Sequence, residues 1–228
     1  MYFYLICLIF FNYVNCFHMN VGSTGVLFSY TLGALAYIKH QIKPNNYTLT
    51  GISGGAWCSV LYHLEPNIED HDVLWNILVG DRRKTLYLLK RSSMQSFQEA
   101  VALTFIDRYK NVNVQNIPIS IVTTKVTNRL AFQSVKIDNF TDIHDLVNYC
   151  LCSSYIPLIS GNSLTKMYKN ERYIDGEIRR DRECFNNCIN SKAWGRKYPM
   201  KQRLFLDFST SRMLFNDGWN DASSYFKK

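Results

Sequence analysis

The stretch Tyr47-Thr48-Leu49-Thr50-Gly51-Ile52-Ser53-Gly54-Gly55-Ala56-Trp57-Cys58 decides how this chain is read. Residues 47–50 are β-prone, and they run straight into Gly51-Ile52-Ser53-Gly54-Gly55, after which an apolar segment over 56–64 is helix-like. The glycine-bounded core matches G-x-S-x-G, in which a strained strand-to-helix turn forces the serine outward. Gly51 and Gly55 flank it because neighbouring backbone comes so close that a Cβ would clash. Ser53 then stands at the amino end of a helix, whose dipole favours developing negative charge. A strand before and a helix after is the context this motif requires; an ordinary glycine-rich turn is the competing reading.

Working outward, residues 14–21 read as a buried strand leading into the small-residue turn Gly22-Ser23-Thr24-Gly25. Val26, Leu27, Tyr30, Ala34, Leu35 and Ile38 then recur at helical spacing, so a strand–turn–helix unit occurs twice. Residues 72–109 contain no proline and predict two or three helices covering part of the sheet, with a lid as one role. The β-branched run 117–126 predicts a buried strand, paired with 130–137 across a turn at Asn128. Residues 142–151 are helix-like, a hairpin around Asn170 leads into Tyr173-Ile174-Asp175-Gly176, and 203–208 is a last strand. Alternating strands and helices predict a three-layer α/β/α domain with a mainly parallel central sheet over 14–210, followed by a short irregular or helical tail at 211–228.

The composition permits one such domain: 228 residues, 47% hydrophobic and 14% aromatic, are enough to fill a core. The net charge of +8 favours an anionic partner. Its basic residues fall in short groups, at 82–84, at 90–91 and at Arg179, Arg180 and Arg182, and no nucleic-acid-binding module accompanies them. Solvated faces are the expectation, with no nucleic acid partner. The seven cysteines lack metal-ligand spacing, so no metal and no cofactor is expected; Cys184 and Cys188 are candidates for a local disulfide, with free thiols as the alternative. Residues 1–13 form an apolar segment whose run at 2–11 has the length of a signal-peptide core but no basic n-region. With the sequons Asn46-Tyr47-Thr48 and Asn139-Phe140-Thr141 it suggests a secretory or membrane-associated route, against a buried first element of a cytoplasmic domain.

A serine at its free pKa is a weak nucleophile and needs a base within hydrogen-bond reach. Of the histidines His18, His40, His63, His71 and His144, only His144 lies far enough downstream for the Ser, Asp/Glu, His order of an α/β-hydrolase, and it sits in a polar helix start. Asp175 is the other candidate: it emerges between the apolar pair Tyr173-Ile174 and Gly176, where partial burial would raise its pKa toward that of a useful base. A plain Asp-Gly turn is the bland reading of the same residues. Oxyanion donors are expected from backbone N–H groups of Gly22-Ser23-Thr24-Gly25, between a strand and a helix.

In order along the chain, Asn20-Val21-Gly22-Ser23-Thr24-Gly25, Gly51-Ile52-Ser53-Gly54-Gly55-Ala56, Ser153-Ser154-Tyr155-Ile156-Pro157 and Asp175-Gly176-Glu177 resemble the motifs of the patatin-like phospholipase family. The resemblance spans roughly residues 14–210. It implies a patatin-type α/β/α fold with Ser53 as nucleophile, Asp175 as base, oxyanion donors at Gly22, Ser23 and Gly54, and motif glycines at Gly25, Gly51, Gly55 and Gly176. It also implies a membrane or micellar lipid substrate and no cofactor. Where the family carries two glycines, a basic residue and a small dyad-end residue, this chain has Asn20, Val21, Thr24 and Glu177. Three functions therefore stand as expectations: a lipid acyl hydrolase, a catalytically silent relative that binds lipid or a partner, and a Ser-His-Asp esterase using His144.

Overall fold

The computed structural model describes residues 16–79, 85–87, 91–127, 131–179, 188–192, 194–199 and 205–227. The apolar run at 2–11, the basic group at 82–84, the turn at Asn128 and the Cys184 half of the candidate bridge lie outside the described residues.

The first strand–turn–helix unit is β1 (Phe17–Val21), a 3₁₀ turn (Gly25–Leu27) and α1 (Phe28–Tyr37), which runs on into a π turn (Ile38–Ile42). The second is β2 (Tyr47–Ile52) and α2 (Gly54–Leu64). After them come α3 (His71–Leu78), β3 (Thr85–Tyr87), α4 (Arg91–Tyr109), β4 (Ile119–Val126), β5 (Phe132–Ile137) and α5 (Ile143–Ser153). The hairpin β6 (Lys166–Tyr168) and β7 (Glu171–Ile174) turns on Lys169 and Asn170, both with positive φ, as a tight two-residue hairpin requires. The described chain closes with β8 (Cys188–Ile189), β9 (Phe205–Asp207) and α6 (Phe208–Phe226).

Seven strands form one mixed sheet in the order β6-β7-β4-β2-β1-β8, with β5 also paired to β4. Its centre, β8-β1-β2-β4, is parallel, while β5 and β7 run antiparallel to β4, and helices flank it. No helix among the described residues is long and apolar enough to cross a membrane.

Three segments differ from the sequence expectation. The 72–109 stretch holds two helices with the short strand β3 between them. β9 does not extend the central sheet; it pairs antiparallel with β3 in a separate ribbon. The segment expected as a tail is a nineteen-residue helix, α6, started by Asp207, whose carboxylate accepts from Thr210 N at 2.7 Å. It belongs to the core, since Leu214, Phe215 and Ala222 are buried.

All ten residues of α1 are buried, as befits a helix that is apolar on every side, and α6 packs along it. The two backbones approach closely at Gly33 and Gly218: a Cβ on Gly218 would lie 1.9 Å from Tyr30 O, and one on Gly33 would lie 1.9 Å from Phe215 O. Gly218→Ala is therefore expected to destabilise the protein by about 3 kcal/mol, the upper range for overpacking. A urea-denaturation midpoint equal to wild type would contradict the close crossing.

The helix that follows Ser53 is anchored at its far end. Lys39 Nζ donates to Tyr62 O at 2.7 Å and Glu65 O at 2.8 Å, covering carbonyls at the C-terminus of α2. Buried Glu65 accepts from Arg108 Nε at 2.9 Å and Tyr109 Oη at 2.8 Å, which ties the end of α4 to the same point.

Candidate active site

Between β2 and α2 the chain turns on Ser53, whose φ of 55° and ψ of −125° are an unfavourable pair for any residue with a side chain. Such a conformation costs about 1–3 kcal/mol and persists only where the surroundings over-determine it. The glycines provide that room. A Cβ on Gly51 would lie 2.6 Å from Ala56 Cα, and one on Gly55 would lie 2.2 Å from Val21 O. Ser153, at the C-terminal end of α5, holds the turn from the other side: its Oγ accepts from Ser53 N at 2.8 Å and donates to Val122 O at 2.6 Å.

Asp175 reaches Ser53 because of how β4 shares its edges. β5 pairs with β4 over Ile121 to Val126, and so occupies one edge. On the other edge β2 pairs as far as Val122 (with Ile52), and β7, running in the opposite direction, pairs as far as Thr124 (with Ile174). The two strands therefore meet end to end at Thr123. The next residue of each is Ser53 and Asp175, and Ser53 Oγ donates to Asp175 Oδ2 at 2.7 Å. Gly176 permits this convergence, since a Cβ there would lie 2.3 Å from Val122 O and 3.2 Å from Ile52 Cγ2.

The backbone around Asp175 is fixed on every side. Its N–H donates to Tyr155 O at 2.8 Å, its carbonyl accepts from Thr124 Oγ1 at 2.9 Å, and Gly176 N donates to Ser153 O at 2.9 Å. The second carboxylate oxygen, Oδ1, accepts from Glu177 N at 2.8 Å. The residue is 5% exposed and Ser53 is 6% exposed. Desolvation raises the Asp175 pKa to about 6, against the opposing pull of its bonds from Ser53 and Glu177 N. The carboxyl thus sits where it can both accept and return a proton near neutral pH.

The loop after β1 approaches the elbow through Thr24 and Gly25. The position a Cβ on Gly54 would take lies 2.5 Å from Thr24 Oγ1 and 3.3 Å from Gly25 N. Gly22, an expected donor of this loop, also lies against the elbow: its carbonyl faces Gly55, and the space above Gly22 Cα is filled by Asn190. Thr24 is 8% exposed, and its hydroxyl has no hydrogen-bond partner among the described residues. Burying a hydroxyl unpaired costs about 1–3 kcal/mol.

From Ser53, Gly54 and Gly25 an apolar cavity runs into the helical layer, walled by Phe28, Trp57, Leu61, Leu78, Phe97 and Val101. Its empty space, open mouth included, is about 650 Å³. α4 forms one wall, so the stretch read as a possible lid contributes directly to the site. Trp57 Nε1 and Gln98 Nε2 donate to Ser154 Oγ and O at 3.1 and 2.8 Å, joining α2 and α4 to the end of α5 beside the mouth.

His144 is not part of this arrangement. It is exposed in the first turn of α5, and a rise of about 1.5 Å per residue sets it about 13 Å along the axis from Ser153, the residue that touches Ser53. The remaining histidines have other partners: His18 with Thr48, His40 with Glu69, His63 with Tyr47 and His71 with Ser211. Neither Ser153 nor Thr24 stands out from its motif in the sequence, and the apolar pattern does not mark the cavity wall. The serine pair directly after the apolar end of α5 was the available signal for Ser153.

No protein-family model matches this chain, and no curated protein matches it.

Proposed function

We propose that this chain is a serine acyl hydrolase of the patatin-like kind that cleaves carboxylic esters of lipids through a Ser53–Asp175 dyad. The observation that carries the proposal is the 2.7 Å bond from Ser53 Oγ to a buried carboxylate, made from a strained elbow. In the first half-reaction Ser53 Oγ attacks the ester carbonyl carbon as its proton passes to Asp175 Oδ2, and the carbonyl π electrons move onto oxygen. Gly54 N–H, at the amino end of α2, faces the developing charge. Collapse of the intermediate expels the alcohol, which takes the proton back from Asp175. Water, deprotonated by the same carboxylate, then attacks the acyl carbon, and as the intermediate collapses Ser53 Oγ leaves with the proton from Asp175 and the acid is released.

Two features support a lipid rather than a small polar ester. The cavity beside Ser53 is walled by aliphatic and aromatic groups along its length, suited to an acyl chain. Ile156, which lines the cavity, and Ile178, whose N–H donates to Asp175 O, carry exposed apolar side chains near the dyad, a surface that a membrane or micelle can cover.

Mixed vesicles of phosphatidylcholine and phosphatidylglycerol test the proposal. The wild-type protein is expected to release free fatty acid, and folded Ser53→Ala is expected to release none above background. Equal release by the two proteins, or none by folded wild type, would count against a lipid acyl hydrolase.

A further inference from the structure

Among the described residues, two buried side-chain oxygens lack any hydrogen-bond partner, Thr24 Oγ1 and Thr31 Oγ1. Thr31 is enclosed within α1, every residue of which is buried. Thr24 is different because of what it faces. Its Oγ1 lies 2.5 Å from where a Cβ on Gly54 would stand. A Cα–Cβ bond is about 1.5 Å, so the hydroxyl is within about 4 Å of Gly54 Cα. Gly54 follows the nucleophile, and the N–H of that residue is the one an elbow offers to an oxyanion.

A buried hydroxyl with nothing to bond is unfavourable, and valine would fill the same volume with no polar group to satisfy. The threonine is thus held at a loss of stability beside the turn where negative charge would develop. Its O–H has no acceptor among the described residues, so it gains a bond when an acceptor arrives.

We propose that Thr24 is a side-chain oxyanion donor, whose hydroxyl joins Gly54 N–H in holding the negative oxygen of the tetrahedral intermediate formed on Ser53. The proposal rests on the acyl-transfer chemistry set out above and adds a residue to it. When the Ser53 Oγ–carbon bond forms and the carbonyl π pair moves to oxygen, that oxygen accepts the Thr24 O–H. When the intermediate collapses the pair returns to the carbonyl and the bond weakens. No proton leaves Thr24 and no co-reactant is required. Because the bond strengthens with the charge, it acts on the transition state more than on bound substrate.

Hydrolysis of p-nitrophenyl octanoate by wild type, Thr24→Val, Thr24→Ala and Thr24→Ser, with thermal unfolding of each, tests it. Thr24→Val and Thr24→Ala are expected to lose about 10²- to 10³-fold in kcat, the loss typical of one oxyanion donor. KM should change little, and Thr24→Ser should retain most of the activity. Thr24→Val should also unfold at the wild-type temperature or above it, whereas removing a hydroxyl that bonds within the fold would lower that temperature. Wild-type kcat in Thr24→Val, or in Thr24→Ala should the valine protein fail to fold, would overturn the role of Thr24 while leaving the acyl hydrolase in place. Folded wild type with no hydrolysis at all would overturn both.

Discussion

Ser53→Ala is expected to abolish ester hydrolysis, with a loss of about 10⁴-fold or more, and Asp175→Asn is expected to lose nearly as much. In the proposed mechanism the two side chains act as a unit: the serine without its carboxylate keeps its proton, and the carboxylate without the serine has no nucleophile to activate. The double variant Ser53→Ala/Asp175→Asn should therefore be no worse than Ser53→Ala alone. Asparagine is the informative replacement at 175, because it keeps the volume of the side chain at a position whose backbone is tied to Tyr155, Thr124 and Ser153. A merely structural role for Asp175 predicts a different pattern, in which Asp175→Asn lowers stability and leaves the activity of the remaining folded protein near normal. Steady-state kinetics on the three purified variants, each checked for folding by circular dichroism, separates the two.

The second large effect concerns pH. With Asp175 pushed up to about 6 by burial, kcat/KM should rise as pH increases toward that value and level off above it, since the free enzyme needs the carboxylate. Stability should move the opposite way. The native pKa lies above the unfolded value, so the native state binds this proton more tightly than the unfolded chain does. The contribution to stability is then complete below about pH 4 and is lost as pH rises through about 6. The distance from the ordinary aspartate value to about 6 corresponds to about 3 kcal/mol. Asp175→Asn has no such proton to lose. Relative to wild type its stability should improve by up to about 3 kcal/mol between pH 4 and pH 8. Asp145, Asp207 and Asp221 are shifted downward by their partners and titrate in the other direction, but they are common to both proteins and cancel in the difference. Denaturant titrations across that range, showing a constant difference between the two proteins, would remove the buried carboxylate from the account.

The elbow was legible because its determinants are local. Gly51 and Gly55 allow a turn whose close backbone approaches lie within a few residues or on and just after β1, and the β-prone and helical segments on either side reinforce it. Asp175 was legible only in part. An Asp-Gly pair after an apolar strand says that a carboxylate leaves a sheet; that it leaves toward Ser53 follows from β2 and β7 ending against the same edge of β4, a matter of register between distant strands. The turn after β1 shows the same limit. Gly22 lies against Gly55 while Thr24 and Gly25 lie against Gly54, and hydrophobic periodicity carries no information about which residue of a turn faces which neighbour. The closing helix was underestimated for a different reason. Over 208–226 the apolar residues are spread among Ser, Asn and Asp, so the apolar stripe is thin. Gly218, which weakens a helix in isolation, is what allows it to dock on α1.

The claim at the centre is that the Asp175 carboxylate makes the Ser53 hydroxyl nucleophilic. Time-resolved intact-mass and peptide mass spectrometry after addition of an alkyl fluorophosphonate measures this directly. A single adduct located on Ser53 is expected in wild type, forming at least about 10²-fold more slowly in Asp175→Asn. Equal rates in the two proteins, or a folded wild type that stays unlabelled at Ser53, would contradict it.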